Sequence, residues 1–455
     1  MDPSRVPAAR AALALAALLA LTLVPAARAA PLNDTGQITC YNATTSTGTV
    51  SPGTAVPADP GFEDQDCTRG AAAADALGLM SKQGASSMPG RDYTRISNAG
   101  NDLPASAALG SGANDWACTR DNVTGLTWEV KVDDPFHLRH FDHTYTWYDS
   151  NGAINGGNAG SIGSNTCNAT LPSSQCNTSA IRDAVNAAGL CGQTDWRLPS
   201  DVELQGVDDY GTTAAPFVDA IYFPNTRSDW YWTGVNVAHS ASHAWVVFFG
   251  NGYPGANFKS ASGAVRLVRG GQPLATRFAD TRALAQTCPA GNPRVAPDSR
   301  YTRVEPVTGQ RVVTDTATGL VWKECNEGQT DAGCGGGSIN YMIWASAVAA
   351  ARNSTWAGYD DWRLPNINEL HSLVETGCHD PGINTSYFPN SDWDFHWSST
   401  TFRTNASVAW SVRFNYSYLG ADSKSNNGAV RLVRGGQWLD SFDADQLFTD
   451  GFDGD

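Results

Sequence analysis

Apolar positions along this chain follow two periods, and each stretch keeps to one of them. Ile181, Val185 and Ala188 recur at helical spacing and stop at Gly189, and Tyr341, Trp344, Ala345 and Val348 repeat the pattern later in the chain. The spacing predicts a helix in each stretch with one face laid on a sheet. Just downstream, Ser200 and Asn366 each stand three residues ahead of a glutamate, Glu203 and Glu369. That is capping-box spacing: the cap side chain accepts a backbone N–H, and the glutamate reaches back to the N–H of the cap residue. A second, shorter helix is expected after Pro199 and after Pro365, with Leu204 and Leu370 pointing inward. Nearer the end, Trp410, Val412 and Phe414 alternate with Ser411, Arg413 and Asn415, and Val265 and Leu267 with Arg266 and Val268, which predicts antiparallel strands. The fold class is α+β.

These elements occur twice in the same order. Thr124-Gly125-Leu126-Thr127-Trp128 answers Thr318-Gly319-Leu320-Val321-Trp322, and Asp195-Trp196-Arg197-Leu198-Pro199 answers Asp361-Trp362-Arg363-Leu364-Pro365. Tyr222-Phe223-Pro224-Asn225 answers Tyr387-Phe388-Pro389-Asn390, Trp232 answers Trp397, and the closing Val265-Arg266-Leu267-Val268-Arg269 answers Val430-Arg431-Leu432-Val433-Arg434. The spacing is too long for a solenoid unit and suits a whole domain in two copies. The expected organisation is a leader at 1–29, an N-terminal extension at 30–115 packed on the first copy, copy one at 116–272, a linker at 273–300, copy two at 301–438 and an acidic tail at 439–455. Copy one also carries an Asn/Gly/Ser-rich insertion at about 149–178, expected as a surface loop.

Arg5 and Arg10, the Ala/Leu run from Ala11 to Val24 and Ala27-Arg28-Ala29 have the build of a cleavable secretory signal without a lipid-anchor cysteine, and no later run reaches spanning length. The expected location is therefore secreted, periplasmic or cell surface. In an exported chain the ten cysteines favour disulfides. Cys167/Cys176 and Cys325/Cys334 bracket short loops, Cys118/Cys191 and Cys40/Cys67 suit longer links, and Cys288 and Cys378 remain, although sequence alone leaves the connectivity open. A formal charge of −15 with no basic run argues against nucleic-acid partners.

The order Thr-Gly-Leu-x-Trp, helix, Asp-Trp-Arg-Leu-Pro-x-x-x-Glu-Leu, Tyr-Phe-Pro-Asn, Ala-Trp-x-Val and Val-Arg-Leu-Val-Arg-Gly resembles the Lcl C-terminal domain family over roughly 118–272 and 312–437. The resemblance implies two tandem C-type-lectin-like domains, with antiparallel sheets, two short helices each, and long loops near the C-terminal strands as a recognition surface. The collagen-like adhesin that gives the family its name binds sulfated glycans. This chain has no Gly-x-y run and is acidic, so binding is carried over without that ligand.

No catalytic motif stands out: there is no Gly-x-Ser-x-Gly elbow, no phosphate loop and no dinucleotide fingerprint, and no cofactor is expected. A formylglycine-generating type of enzyme needs a reactive cysteine pair near its end, whereas the last cysteine here is Cys378. Trp128, Trp196, Trp322, Trp362, Arg197 and Arg363 read as scaffold, and Glu203 and Glu369 as helix caps. His137, His140 and His143 beside Asp142 have the composition of a metal site, but Pro135 and loop-like surroundings argue against one, and none is expected. A ligand surface is expected between the shared landmarks, at Tyr231, Asn236, His239, His243, Phe248, Asn251, Tyr253 and Asn257 in copy one. In copy two the corresponding candidates are His396, Phe402, Arg403, Asn405, Arg413, Asn415, Tyr416 and Tyr418. Aromatic faces beside amides suit sugar rings or peptides. The expected function is a non-enzymatic binding or adhesion protein for a glycan or a surface protein, and the rival is a structural subunit of a cell-envelope assembly.

Overall fold

The computed structural model describes residues 32–41, 49–50, 64–76, 78, 80–270, 287–289, 291–292 and 294–435, so the expected leader and acidic tail lie outside the described residues. In copy one, β1 (Tyr93–Ser97), β2 (Trp116–Asp121), β3 (Thr127–Glu129) and β7 (Val268–Arg269) form one sheet in the order β7-β3-β2-β1, with Asp102–Leu103 as a short edge strand. A second sheet holds β4 (Trp230–Asn236), β5 (His243–Phe248) and β6 (Tyr253–Phe258), with β5 in the middle. Copy two repeats both. Its β8 (Tyr301–Val307), β9 (Gln310–Asp315), β10 (Val321–Lys323) and β14 (Val433–Arg434) match the first sheet, and β11 (Phe395–Thr401), β12 (Val408–Arg413) and β13 (Tyr418–Ser423) match the second. All of these strand pairs are antiparallel.

The helices follow their signals. α1 (Thr178–Ala188) is capped by the Asn177 side chain, buries Ile181 and Val185, and ends at Gly189 with φ 64°. That left-handed conformation is one that glycine adopts without strain. Its counterpart α3 (Trp344–Arg352) starts later than the apolar spacing predicts, and Tyr341 stays outside it, exposed. α2 (Asp201–Gln205) and α4 (Ile367–His371) both carry the complete capping box, and Leu204 and Leu370 are fully buried.

Five disulfides, Cys40–Cys67, Cys118–Cys191, Cys167–Cys176, Cys288–Cys378 and Cys325–Cys334, leave no free cysteine. No helix among the described residues is long and apolar enough to cross a membrane.

Two expectations about boundaries need revision. β1 lies inside the stretch read as extension, yet it pairs along β2 from Tyr93↔Asp121 to Ser97↔Trp116. The insertion is more than a surface loop, because Cys167, Leu171 and Cys176 enter the copy-one core and the carbonyls of Asn155 and Asn158 accept hydrogen bonds from Lys259 at 2.7 and 2.8 Å. A polar segment can be built in when its backbone supplies acceptors for a buried charge.

The copies are joined by an exchange of equivalent aromatics. Tyr253 of β6 packs on Trp410 with centroids 4.7 Å apart and on Phe402 at 5.7 Å, and its counterpart Tyr418 of β13 packs on the copy-one cluster of Val235, Val237 and Trp245. The contact is reciprocal, like an isologous dimer interface within one chain. It also covers the outer strands of both three-stranded sheets, whose open edges are otherwise templates for aggregation. At its centre the Arg403 guanidinium grips Asp208, with Nη2 2.5 Å from Oδ2, and lies 4.0 Å from the Phe217 ring; both charged side chains are buried.

The N-terminal segment is lodged against both copies rather than on copy one alone. Asn33 reaches Asp121 and the Gly206 carbonyl in copy one, while its own carbonyl accepts from Asn368 in copy two. The Gln37 amide donates to the Thr401 carbonyl at 2.9 Å and accepts from the Thr401 N–H at 3.0 Å.

Removing one partner of a buried ion pair leaves the other charge uncompensated. Arg403→Ala is expected to cost about 3–5 kcal/mol in chemical denaturation, whereas Arg434→Ala, whose partner Asp361 is exposed, is expected to cost about 1 kcal/mol or less.

Candidate ligand surface at the seam between the copies

The repeated charged residues are taken up by the scaffold. Arg197 forks onto Glu203 at 2.6 and 2.7 Å and also donates to the Gly270 carbonyl at 2.8 Å, and Arg363 does the same with Glu369 at 2.6 and 2.7 Å and Gly435 at 3.0 Å. Each glutamate also accepts the N–H of its cap residue, Ser200 or Asn366. One carboxylate thus closes the capping box and ties the helix start to the end of the closing strand. Arg266, which alternates with Val265 and Leu267 in that strand, and its counterpart Arg431 are fully buried. Arg266 donates to the Glu129 carbonyl and Thr226, and Arg431 to the Glu324 carbonyl and Ser391, so buried acceptors override the in–out alternation.

A buried lysine also recurs. The Lys259 Nζ sits 4.2 Å from the Trp147 ring centroid and that of Lys424 3.9 Å from Trp344, and each of these tryptophans donates its indole N–H to a β4 or β11 carbonyl. Burial pushes Lys259 down to about 8 and Lys424 down to about 7. What covers them differs: insertion carbonyls over Lys259, and Thr401 with the Tyr41 ring over Lys424.

The candidate ligand residues divide into four groups. Tyr231, Asn236 and His396 are buried: the Tyr231 hydroxyl accepts the Arg227 N–H, Asn236 donates to the Ile154 carbonyl, and His396 meets Asn326 at 3.0 Å, with burial holding its pKa down at about 3. Tyr253, Phe402, Arg403 and Tyr418 serve the junction. Arg413 lies against Asp422 in a two-pronged pair, Phe248 stacks at 4.7 Å on Trp230, and His243 stacks at 4.1 Å on Phe258, while Asn257 is half-buried on β6. His239, Asn251, Asn405 and Tyr416 stand exposed, and Asn415 is half-buried.

The structure brings two of these together across the seam. The His239 ring, from the copy-one loop after β4, lies 5.3 Å from the Tyr416 ring on the copy-two turn after β12, and 6.0 Å from His379. His379 Nδ1 is 2.9 Å from Asp380 Oδ2, and the Cys288–Cys378 disulfide sits beside it in sequence. Tyr416 is 48% exposed, so its face is open. Sequence reasoning missed His379, Trp230 at 38% exposure and Trp393 at 60%. Trp393 follows Tyr387-Phe388-Pro389-Asn390 at a point where copy one has Ser228, so the criterion of differing between landmarks would have selected it.

His137, His140, His143 and Asp142 do not converge on one point. The His137 Nδ1 accepts the Arg139 N–H and Asp142 pairs with Arg227. The one group of three or more ligand-type side chains gathered among the described residues is Glu324 with Cys325 and Cys334, and its two sulfurs are joined to each other.

In keeping with the duplicated architecture, a family comparison matches the Lcl C-terminal domain to residues 117–269 and 311–434, more than half of the chain. The chain belongs to the Lcl C-terminal domain family. Comparison with curated proteins finds no match. Between the two Lcl C-terminal domains, the side of the junction held by the N-terminal segment is rich in buried carboxylates. Asp66 Oδ2 accepts from Thr35 and from Thr400, both at 2.7 Å, with Asp34 and Glu369 nearby. Desolvation, then the charge of Asp34, pushes the Asp66 carboxyl up to about 8.

The folded state therefore keeps a proton on Asp66 that the unfolded chain releases at an ordinary carboxylate pKa. Its contribution is fully present in acid and is lost as pH rises towards 8. Asp66→Asn, which cannot ionise, is expected to gain stability relative to the parent between pH 4 and pH 8, reaching on the order of a few kcal/mol. Thermal denaturation across that range checks it, and a difference that stays flat with pH contradicts the assignment.

Proposed function

We propose that this protein is an exported, non-enzymatic binding or adhesion protein whose two Lcl C-terminal domains, C-type-lectin-like in architecture, present one composite ligand surface along their seam. The observation that carries this reading is the meeting of His239 and Tyr416, rings from different copies that serve neither core and stay open to solvent. An exposed aromatic ring beside an amide, here Tyr416 beside Asn415 in copy two, offers a stacking face with directed hydrogen bonds. The sheet end of copy one adds a second shelf, where Trp230 and Phe248 stack and the indole packs down against Gly255.

The net charge favours a neutral glycan or a weakly cationic protein surface over a sulfated polymer. The five disulfides suit an oxidising compartment, in keeping with export. The scaffold roles of Glu203 and Glu369 support a non-enzymatic reading, because each carboxylate is engaged by arginine and by a helix cap.

A glycan array probed with the mature protein, with and without Ca²⁺, is expected to show selective binding. Tyr416→Ala and His239→Ala should each reduce it at least tenfold, and Tyr418→Ala should instead lower stability through the junction. Equal binding by parent and seam variants would move recognition to the Trp230 shelf. No binding to any glycan would favour the envelope-subunit alternative.

A further inference from the structure

The turn that carries Tyr416 is held by the loop from Glu375 to Gly382. Asp380 N–H donates to the Asn415 carbonyl at 3.0 Å, Gly382 N–H donates to the Phe414 carbonyl, and the Ser417 hydroxyl donates to the Cys378 carbonyl at 3.3 Å. The two stretches pass so closely that a side chain at Gly382 would collide with Ser417 Oγ, and Ser417 itself takes the left-handed φ of 61°. The place of the Tyr416 ring is therefore tied to that of Cys378, His379 and Asp380, and His379 is also the ring that stands 6.0 Å from His239.

This loop is held in turn, at two points, by the segment that leads into copy two. Glu375, fully buried, accepts the N–H groups of Val295 and Ala296 at 2.8 and 2.9 Å. At the tip, Thr287 and His379 exchange backbone hydrogen bonds at 3.0 and 2.9 Å, and the Cys288–Cys378 disulfide closes beside them. The Glu375 clamp lies in the interior and stands without the disulfide. The tip does not, because Thr287 and Cys288 are exposed and water replaces two surface hydrogen bonds at little cost once the covalent link is gone.

Nine of the ten cysteines are buried, and Cys288 is the exposed one. Thiol exchange requires a thiolate to reach a disulfide sulfur, so access decides which bond reacts. The other four disulfides have both cysteines buried and need the fold to open first. Cys288–Cys378 alone has a cysteine at the surface.

We infer that Cys288–Cys378 is a thiol-exchange site, and that its opening by a dithiol releases the Tyr416 turn and takes the seam surface apart. The consequence for ligand binding rests on the seam reading above. One thiolate of the reagent attacks Cys288 Sγ, forming a mixed disulfide and expelling the Cys378 thiolate, which takes up a proton. The second thiol of the reagent gives up its proton, attacks the reagent's own sulfur in the mixed disulfide and expels Cys288, which is protonated in turn. Two electrons have passed to the protein, two cysteine thiols remain, and the reagent leaves as a cyclic disulfide.

The mature oxidised chain is treated with increasing dithiothreitol without denaturant, quenched with acid, alkylated and mapped by peptide mass spectrometry. Cys288 and Cys378 are expected to label together at a reagent concentration at least tenfold below that which opens any other pair, and another pair opening first or alongside overturns the assignment. The Cys288→Ser/Cys378→Ser double variant is expected to keep the parent's far-ultraviolet circular dichroism while losing the nuclear Overhauser contact between the His239 and Tyr416 rings. Glycan binding should fall at least tenfold with it. A ring contact that survives in this variant overturns the lock. Should the variant fail to fold, the parent chain opened by dithiothreitol and capped at these two thiols is read in its place. A parent that binds no glycan counts against the seam reading alone, since labelling order and ring contact still decide this inference.

Discussion

The buried pair of Arg403 and Asp208 is the constraint on which the arrangement of the two copies depends. A guanidinium with almost no exposed surface must have its charge met, and Asp208 meets it from the other copy while the Asp209 carbonyl accepts a further N–H. The Tyr210 and Phe217 rings lie 5.0 and 4.0 Å from the same guanidinium. Even the turn that carries Tyr253 is set by it, for a side chain at Gly252 would collide with Arg403 and Asp208. Separation of the copies would strand one charge of each sign, and this makes the junction specific as well as adhesive.

Around that pair the chain behaves as an internal dimer. Tyr253 and Tyr418 occupy the same place in their respective copies and each is inserted into the other. The ion pair itself has no mirror image: Ala238 stands where copy two has Arg403, so the symmetry holds for the aromatic exchange and not for the charges. A seam made from unlike edges presents His239, His379 and Tyr416 together at one place, a combination that neither copy supplies alone.

Much of the fold was legible in the sequence because its signals are local. The capping boxes at Ser200 and Asn366, the stop at Gly189 and the short cysteine loops depend on neighbours a few residues away. What was illegible depends on distant partners. Arg266 and Arg431 look like outward strand residues until the Glu129 and Glu324 carbonyls are seen beside them. Tyr253, Phe402 and Tyr418 look like loop aromatics until the other copy covers them. The place of β1 was readable, since Tyr93-Thr94-Arg95 is repeated at Tyr301-Thr302-Arg303 and both triplets begin equivalent strands. Of the candidate site, the exposed His239 and Tyr416 were named from sequence, but their meeting was not, because nothing local encodes an encounter between residues of different copies.

The buried junction and the N-terminal segment that touches both copies bind the two Lcl C-terminal domains into one cooperative body. Differential scanning calorimetry of the mature, oxidised chain tests it most directly. One transition whose calorimetric enthalpy equals its van't Hoff enthalpy is the predicted result. Two resolved transitions, each the size of a single domain, would show the copies to be independent and the seam to be an incidental contact.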